Sequence, residues 1–134
     1  MRVINYPRRL VQMLITGMVA LFSFGSALAQ QKNVVVRMAK LQIDSAQLEA
    51  YKAVLKWHAE TAVHVEPGVL TLHAVSDKDN PTHITVFEIY ASEEAYKSHL
   101  ETAHFKKYKS ETRNMVKSLE LIQVDPIALE TKAK

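Results

Sequence analysis

The chain has 134 residues, seventeen lysines and arginines against fourteen acids, and no cysteine. That length holds one small domain with one core, and without a thiol there is no disulfide, cysteine nucleophile or iron–sulfur chemistry. The excess positive charge comes from Arg2, Arg8 and Arg9; from Gln30 onward fourteen basic and fourteen acidic residues balance, so charge gives no reason to expect a nucleic-acid partner.

The first 29 residues read as a secretory signal peptide. A basic start is followed by an apolar run from Leu10 to Phe24, then by Ala27-Leu28-Ala29 in the spacing that signal peptidase cleaves. The run is interrupted by Gln12, Thr16 and Ser23 and falls short of the roughly 20 residues a spanning helix needs. The expectation is cleavage before Gln30, no stable membrane span afterwards, and a periplasmic or secreted protein. Residues 30–127 then form the domain, and 128–134 a tail with no packing pattern of its own.

Lys32 to Ile43 is β-branched and then alternating, the pattern of a strand. Asp44 with Gln47 resembles a capping box. Leu48, Tyr51, Leu55, His58 and Ala62 recur at three- and four-residue spacing, which predicts one helix running to about Val65. Glu66-Pro67-Gly68 ends it, with Gly68 expected to serve the tight turn. Val69–Ser76 and Thr82–Tyr90 read as a hairpin around Asp77-Lys78-Asp79-Asn80-Pro81. Ser92 caps a short helix whose first turn carries Glu93 and Glu94. Thr102 caps its continuation, with Phe105, Tyr108, Thr112 and Met115 on one face. Ser118–Val124 is the last strand. The order β-α-β-β-α-β is the ferredoxin-like α+β arrangement, a four-stranded antiparallel sheet with its helices on one face. The other face is apolar enough to predict a homodimer that stacks sheet on sheet.

Several chemistries are excluded. Only Gly68 follows the leader, so phosphate-cradling and dinucleotide loops are out, as is a G-x-S-x-G elbow. The histidines at 58, 64, 73, 83, 99 and 104 contain no chelating pair, and His99 and His104 lie about 140° apart on a continuous helix. No metal is expected. What remains is a group of aromatic and imidazole side chains: Tyr51, Trp57, His58, Tyr90, Tyr96, His99, His104, Phe105 and Tyr108. They suit an apolar pocket holding one or two imidazoles as general bases, although each alone would also fit a polar-tipped core. Lys106, Lys109, Arg113 and Lys117 form a basic stripe, read as a solvated face relieved by a Lys107–Glu111 pair.

Glu66-Pro67-Gly68-Val69-Leu70, the Asp-rich turn before Pro81, Glu88 with Tyr90, Ser92-Glu93-Glu94-Ala95, His99-Leu100 and Thr102-Ala103-His104-Phe105 together resemble the antibiotic biosynthesis monooxygenase family. The likeness covers about residues 33–125. It implies a dimeric α/β barrel of ferredoxin-like units that oxidises a quinol-like or phenolic aromatic with O₂ and no cofactor. In that reading His99 or His104 is the base, and Trp57, His58, Glu88, Tyr96, Phe105 and Tyr108 hold the substrate. The haem-degrading branch of the family fits poorly: Val34–Ile43 has no asparagine, and Lys109 lies near where the axial histidine is expected. A non-catalytic small-molecule binding module and an isomerase of a small hydroxyketone are the alternative functions on this fold.

Overall fold

A computed structural model of the chain describes residues 34–132, so the signal-peptide reading of residues 1–29 lies outside the described residues. Strand β1 spans Val35–Ile43 and leads through a 3₁₀ turn, Ser45–Gln47, into helix α1, Leu48–Val65. The hairpin follows as β2, Val69–Ser76, and β3, His83–Tyr90. Two short helices, α2 over Glu93–Glu101 and α3 over Ala103–Thr112, precede β4, Val116–Val124. The sheet order is β2-β3-β1-β4 with every neighbour antiparallel, the ferredoxin-like topology expected from the element order.

Local chemistry sets the boundaries. Asp44 Oδ1 accepts from Ala46 N at 2.9 Å, capping the 3₁₀ turn. Gln47 does not reach back to complete a capping box; its amide nitrogen donates to the Asn114 carbonyl at 3.2 Å and ties the start of α1 to the turn before β4. Ser92 Oγ accepts from Ala95 N, and Thr102 Oγ1 accepts from Phe105 N, so both expected caps form. Thr102 is extended, with ψ 149°, which splits the helical stretch into α2 and α3. Glu66 is also extended, as the residue before a proline must be, and α1 stops there.

The core lies between the sheet and the helices. Ala39, Leu41 and Ile43 on β1, Ile84 and Val86 on β3, and Val69 and Leu72 on β2 face Tyr51, Leu55 and Ala62 of α1. Burying a side chain such as Leu55 or Ile43 stabilises the fold by about 1.5–3 kcal/mol, and both are nearly inaccessible. Gly68 packs the α1–β2 turn onto α2: a Cβ added there would stand 2.5 Å from Ala95 Cβ. No residue of the described chain has positive φ, so Gly68 serves close approach rather than an unusual turn conformation.

Candidate active site

A cavity of about 380 Å³ lies between the helix-covered face of the sheet and α3. Its buried end is formed by His58 of α1, Glu88 and Tyr90 of β3, Tyr96 of α2, and Phe105 and Tyr108 of α3. Its other end opens over the β4 edge. There Leu119 and Leu121, paired with Leu41 and Ala39 and therefore on the same sheet face, are 41% and 55% exposed. The volume falls within the range of roughly 300–1,000 Å³ that encloses a small molecule.

Behind this cavity two imidazoles from two helices, His99 and His104, converge on one carboxylate, and His58 of the cavity wall meets both rings. Glu66 Oε1 accepts a hydrogen bond from His99 Nδ1 at 2.8 Å. His104 Nε2 stands at the same 2.8 Å from that oxygen, but off the line of a directed hydrogen bond, so the contact is electrostatic. His104 Nδ1 is 3.3 Å from His58 Nδ1. His58 in turn stacks on Tyr108, with centroids 4.6 Å apart and planes 11° apart. Proton placement follows from the carboxylate outward. A proton on His104 Nε2 faces the negative oxygen, which leaves Nδ1 to accept from His58 Nδ1–H. The free lone pair of His58 then sits on Nε2, the nitrogen open to a ligand in the cavity. Burial, reinforced by His99 and then His104, lowers the His58 pKa to about 3. Burial also lowers that of His99, although Glu66 opposes the shift. Both imidazoles are neutral near pH 7.

The sheet wall is built differently. Arg37 and Glu88 are register partners on β1 and β3. The Arg37 guanidinium lies 4.0 Å above the Tyr96 ring centre, and the Tyr90 hydroxyl donates to Glu88 Oε2 at 3.2 Å. Burial raises the Glu88 pKa against the opposing pull of the Tyr90 hydroxyl and Arg37. Burial likewise raises the tyrosines at 51, 90 and 108, so all three keep their protons. The Tyr51 and Tyr108 hydroxyls share a buried hydrogen bond of 2.8 Å.

Five of the residues expected to hold a ligand, His58, Glu88, Tyr96, Phe105 and Tyr108, share the cavity wall. Trp57 does not: it lies on the outer side of α1, 37% exposed, with Lys107 Nζ 4.5 Å from its ring centre. His99 and His104 are brought together with His58, yet neither lines the cavity; they form the layer behind it. Glu66 and Arg37 complete the arrangement without having been singled out as site residues, and Tyr51, one of the aromatic candidates, stands behind the wall on the Tyr108 hydroxyl. For Glu66 a signal existed in its place just past the end of the helix that carries His58, where the chain turns back before Pro67. Among the described residues no group of three His, Asp or Glu side chains is arranged to hold a metal ion.

A ferredoxin-like sheet with an aromatic- and imidazole-walled cavity under its helices defines a small α+β protein. The chain belongs to the antibiotic biosynthesis monooxygenase family, whose model matches residues 34–111. It is similar to the crystal structure of a candidate antibiotic biosynthesis monooxygenase from Bacteroides thetaiotaomicron VPI-5482. That protein is 49% identical, with a TM-score of 0.74, over 78% of this chain and 99% of that one. A candidate monooxygenase from Lactobacillus acidophilus NCFM is 34% identical with a TM-score of 0.67; the match covers 68% of this chain and 43% of that longer one. A family structure from Caulobacter crescentus CB15, 21% identical with a TM-score of 0.68 over 77% of this chain and 98% of that one, shares the fold. No curated protein matches.

Proposed function

We propose that this protein oxidises a phenolic or quinol-like aromatic with O₂, using His58 as the base. The observation that carries the reading is the ordered series Glu66–His104–His58, which ends on the one imidazole of the cavity wall. A proton passing from a phenol, whose pKa is about 10, to an imidazole held near 3 climbs roughly seven pH units. A carboxyl group's ordinary pKa of about 4.3 shortens that climb by only about one unit, so what a relay to Glu66 offers is that no charge stays on a buried imidazole. As His58 Nε2 takes the phenolic proton, Nδ1–H passes to His104 Nδ1, and a small turn of the His104 ring lets Nε2–H pass to Glu66. The buried cluster then holds a neutral carboxylic acid and no imidazolium.

The phenolate left in the cavity is electron-rich. One electron passes to O₂, and the resulting superoxide and aryloxyl radical couple to form a C–O bond at a ring carbon bearing hydrogen. Loss of that C–H proton with cleavage of the O–O bond releases water and leaves a new ring carbonyl. One ring hydrogen and the phenolic hydrogen leave as water, and O₂ supplies both the carbonyl and the water oxygen. Arg37 offers positive charge to the developing oxygen anion, and the apolar wall of Leu55, Phe105 and Tyr108 excludes water. This chemistry draws on residues of the chain and O₂ alone.

The test is O₂ consumption with a hydroquinone, above the spontaneous rate, in wild type and His58→Ala. Retention of full activity by His58→Ala sinks the assignment. Ligand binding without O₂ uptake would instead favour a binding module, and deuterium exchange α to a carbonyl without O₂ uptake an isomerase.

Two properties of the whole protein belong to the same reading. The leader pattern of residues 1–29 supports export, which N-terminal sequencing of the periplasmic protein would check by finding Gln30 first. The sheet face away from the helices carries Met38, Phe87, Ile89, Ile122 and Val124, paired in register across three strands. That apolar surface supports a homodimer, and Phe87→Lys should give a monomer by light scattering.

A further inference from the structure

From Gln30 onward the chain is neutral as a whole, with fourteen basic residues against fourteen acids. The cavity runs against that balance. Arg37, Lys109, Arg113 and Lys117 line it, with Glu88 as its one acid, and burial pushes Glu88 toward its neutral form. Two of the cations are already engaged, Arg37 over Tyr96 and Lys117 at 3.6 Å from Asp44 Oδ2. The cations of α3 outside the cavity are also matched: Lys106 meets Glu101 at 2.7 Å and Lys107 meets Glu111 at 3.9 Å. Lys109 and Arg113, the two that reach the mouth, meet no acid among the described ion pairs. They stand four positions apart at the end of one helix, a spacing at which like charges repel. Beside them the β4 edge offers Leu119 and Leu121, exposed and apolar. The mouth is therefore an apolar strip edged by two unmatched cations.

We propose that the substrate is an aromatic bearing an anionic substituent, a carboxylated hydroxyarene, with its ring against His58 and Tyr108 and its carboxylate between Lys109 and Arg113. The proposal rests on the cavity being the ligand site of the reading above, but not on the oxidation. The apolar ring gains by leaving water along the leucine strip and the buried wall. The anion stays at the mouth, where it keeps part of its hydration and relieves the repulsion between the two cations. Glu88, the one acid of the lining, lies at the buried end with Arg37 as its register partner, away from the mouth.

The experiment is calorimetric titration of the purified protein with 1-hydroxy-2-naphthoate and with 1-naphthol, which differ only in the carboxylate. The naphthoate should bind more tightly, by roughly fivefold to tenfold at low salt, and the advantage should shrink by about 0.5 M salt. The double variant Lys109→Glu/Arg113→Glu should erase or invert it. Lys106→Glu, on the same helix but outside the cavity, should leave it intact. Both variants change exposed positions, and circular dichroism confirms that they fold. Equal affinity for the two ligands, no binding of either, or a preference that survives the double variant overturns the proposal. O₂ uptake measured on the same samples separates the two readings. Preference without O₂ uptake keeps the anionic class and sinks the oxidation; O₂ uptake with a hydroquinone but no preference does the reverse.

Discussion

The two walls of the cavity are made in different ways. The sheet wall comes from register: Arg37 opposite Glu88, with Tyr90 two residues on, places three polar tips on one face by strand pairing alone. The helix wall comes from interruptions. Pro67 stops α1 so that Glu66 turns inward, and Thr102 breaks α2 from α3 so that His99 and His104 approach the same oxygen from two helices. Register gives a wall that tolerates exchange of one side chain, because the backbone ladder does not depend on it. Convergence gives a wall in which each group holds the next, so loss of one member disturbs the proton placement of the rest.

That contrast is broken or sharpened first by activity. His58→Ala should lower kcat for O₂ uptake by about 10²–10⁴-fold, the contribution of a positioned general base. Glu88→Gln on the sheet wall should cost far less, and a larger loss there would mean that Glu88 is the base. Glu66→Gln comes next. The glutamine carbonyl can still accept from His99, so the fold should hold, but no carboxylate remains to receive a proton. A fall of about 10–100-fold in kcat with KM nearly unchanged is expected, on the scale of other outer partners that orient an imidazole. Glu66→Gln activity equal to wild type would show that His58 works without the relay.

The fold was legible because its signals are local. The three- and four-residue spacing of Tyr51, Leu55, His58 and Ala62 marks the buried face of α1, and Ser92 and Thr102 cap the helices they precede. The site was only half legible. His99 and His104 drew attention through closeness in sequence, whereas the imidazole that reaches the cavity is His58, 41 and 46 positions earlier. Which face of a short helix meets a cavity is set by packing between α1, α2 and α3, and no single periodicity encodes it. Glu66 read as a helix terminator, a role it does fill. Its second role depends on contacts 33 and 38 residues away. Gly68 was assigned to a turn, yet its partner is Ala95, in an element that follows only after a whole hairpin. The break signalled by the Thr102 cap brings the His99 and His104 rings to 5.8 Å despite a spacing that would hold them apart on a continuous helix.

Acid should weaken the helix wall before the sheet wall. His58 is held near 3 in the fold and returns to about 6.5 on unfolding, and His99 is shifted the same way. Between those limits the unfolded chain binds more protons, so stability is full above about pH 6.5 and falls as the pH drops toward 3. Urea midpoints measured from pH 7 to pH 4 should decline, and His58→Gln should flatten the slope. An unchanged slope in that variant would place the acid sensitivity elsewhere. Glu88 contributes with the opposite sign, because a raised carboxyl pKa favours the fold as the solution is acidified.

The smallest differences concern packing. Tyr51→Phe removes one hydroxyl of the buried pair and leaves that of Tyr108 without its partner, a cost of about 1–2 kcal/mol. Because Tyr108 carries the stacked His58 ring, the loss should also loosen naphthol binding in the cavity. On the sheet wall, Arg37→Gln gives up a cation–π contact worth about 0.5–1 kcal/mol at a partly exposed site. The register of β1 with β3 holds Glu88 in place regardless. Urea unfolding with matched m-values should therefore rank Tyr51→Phe below Arg37→Gln in stability. The reverse order would mean that the sheet wall, not the converging helices, is where neighbouring side chains depend on one another.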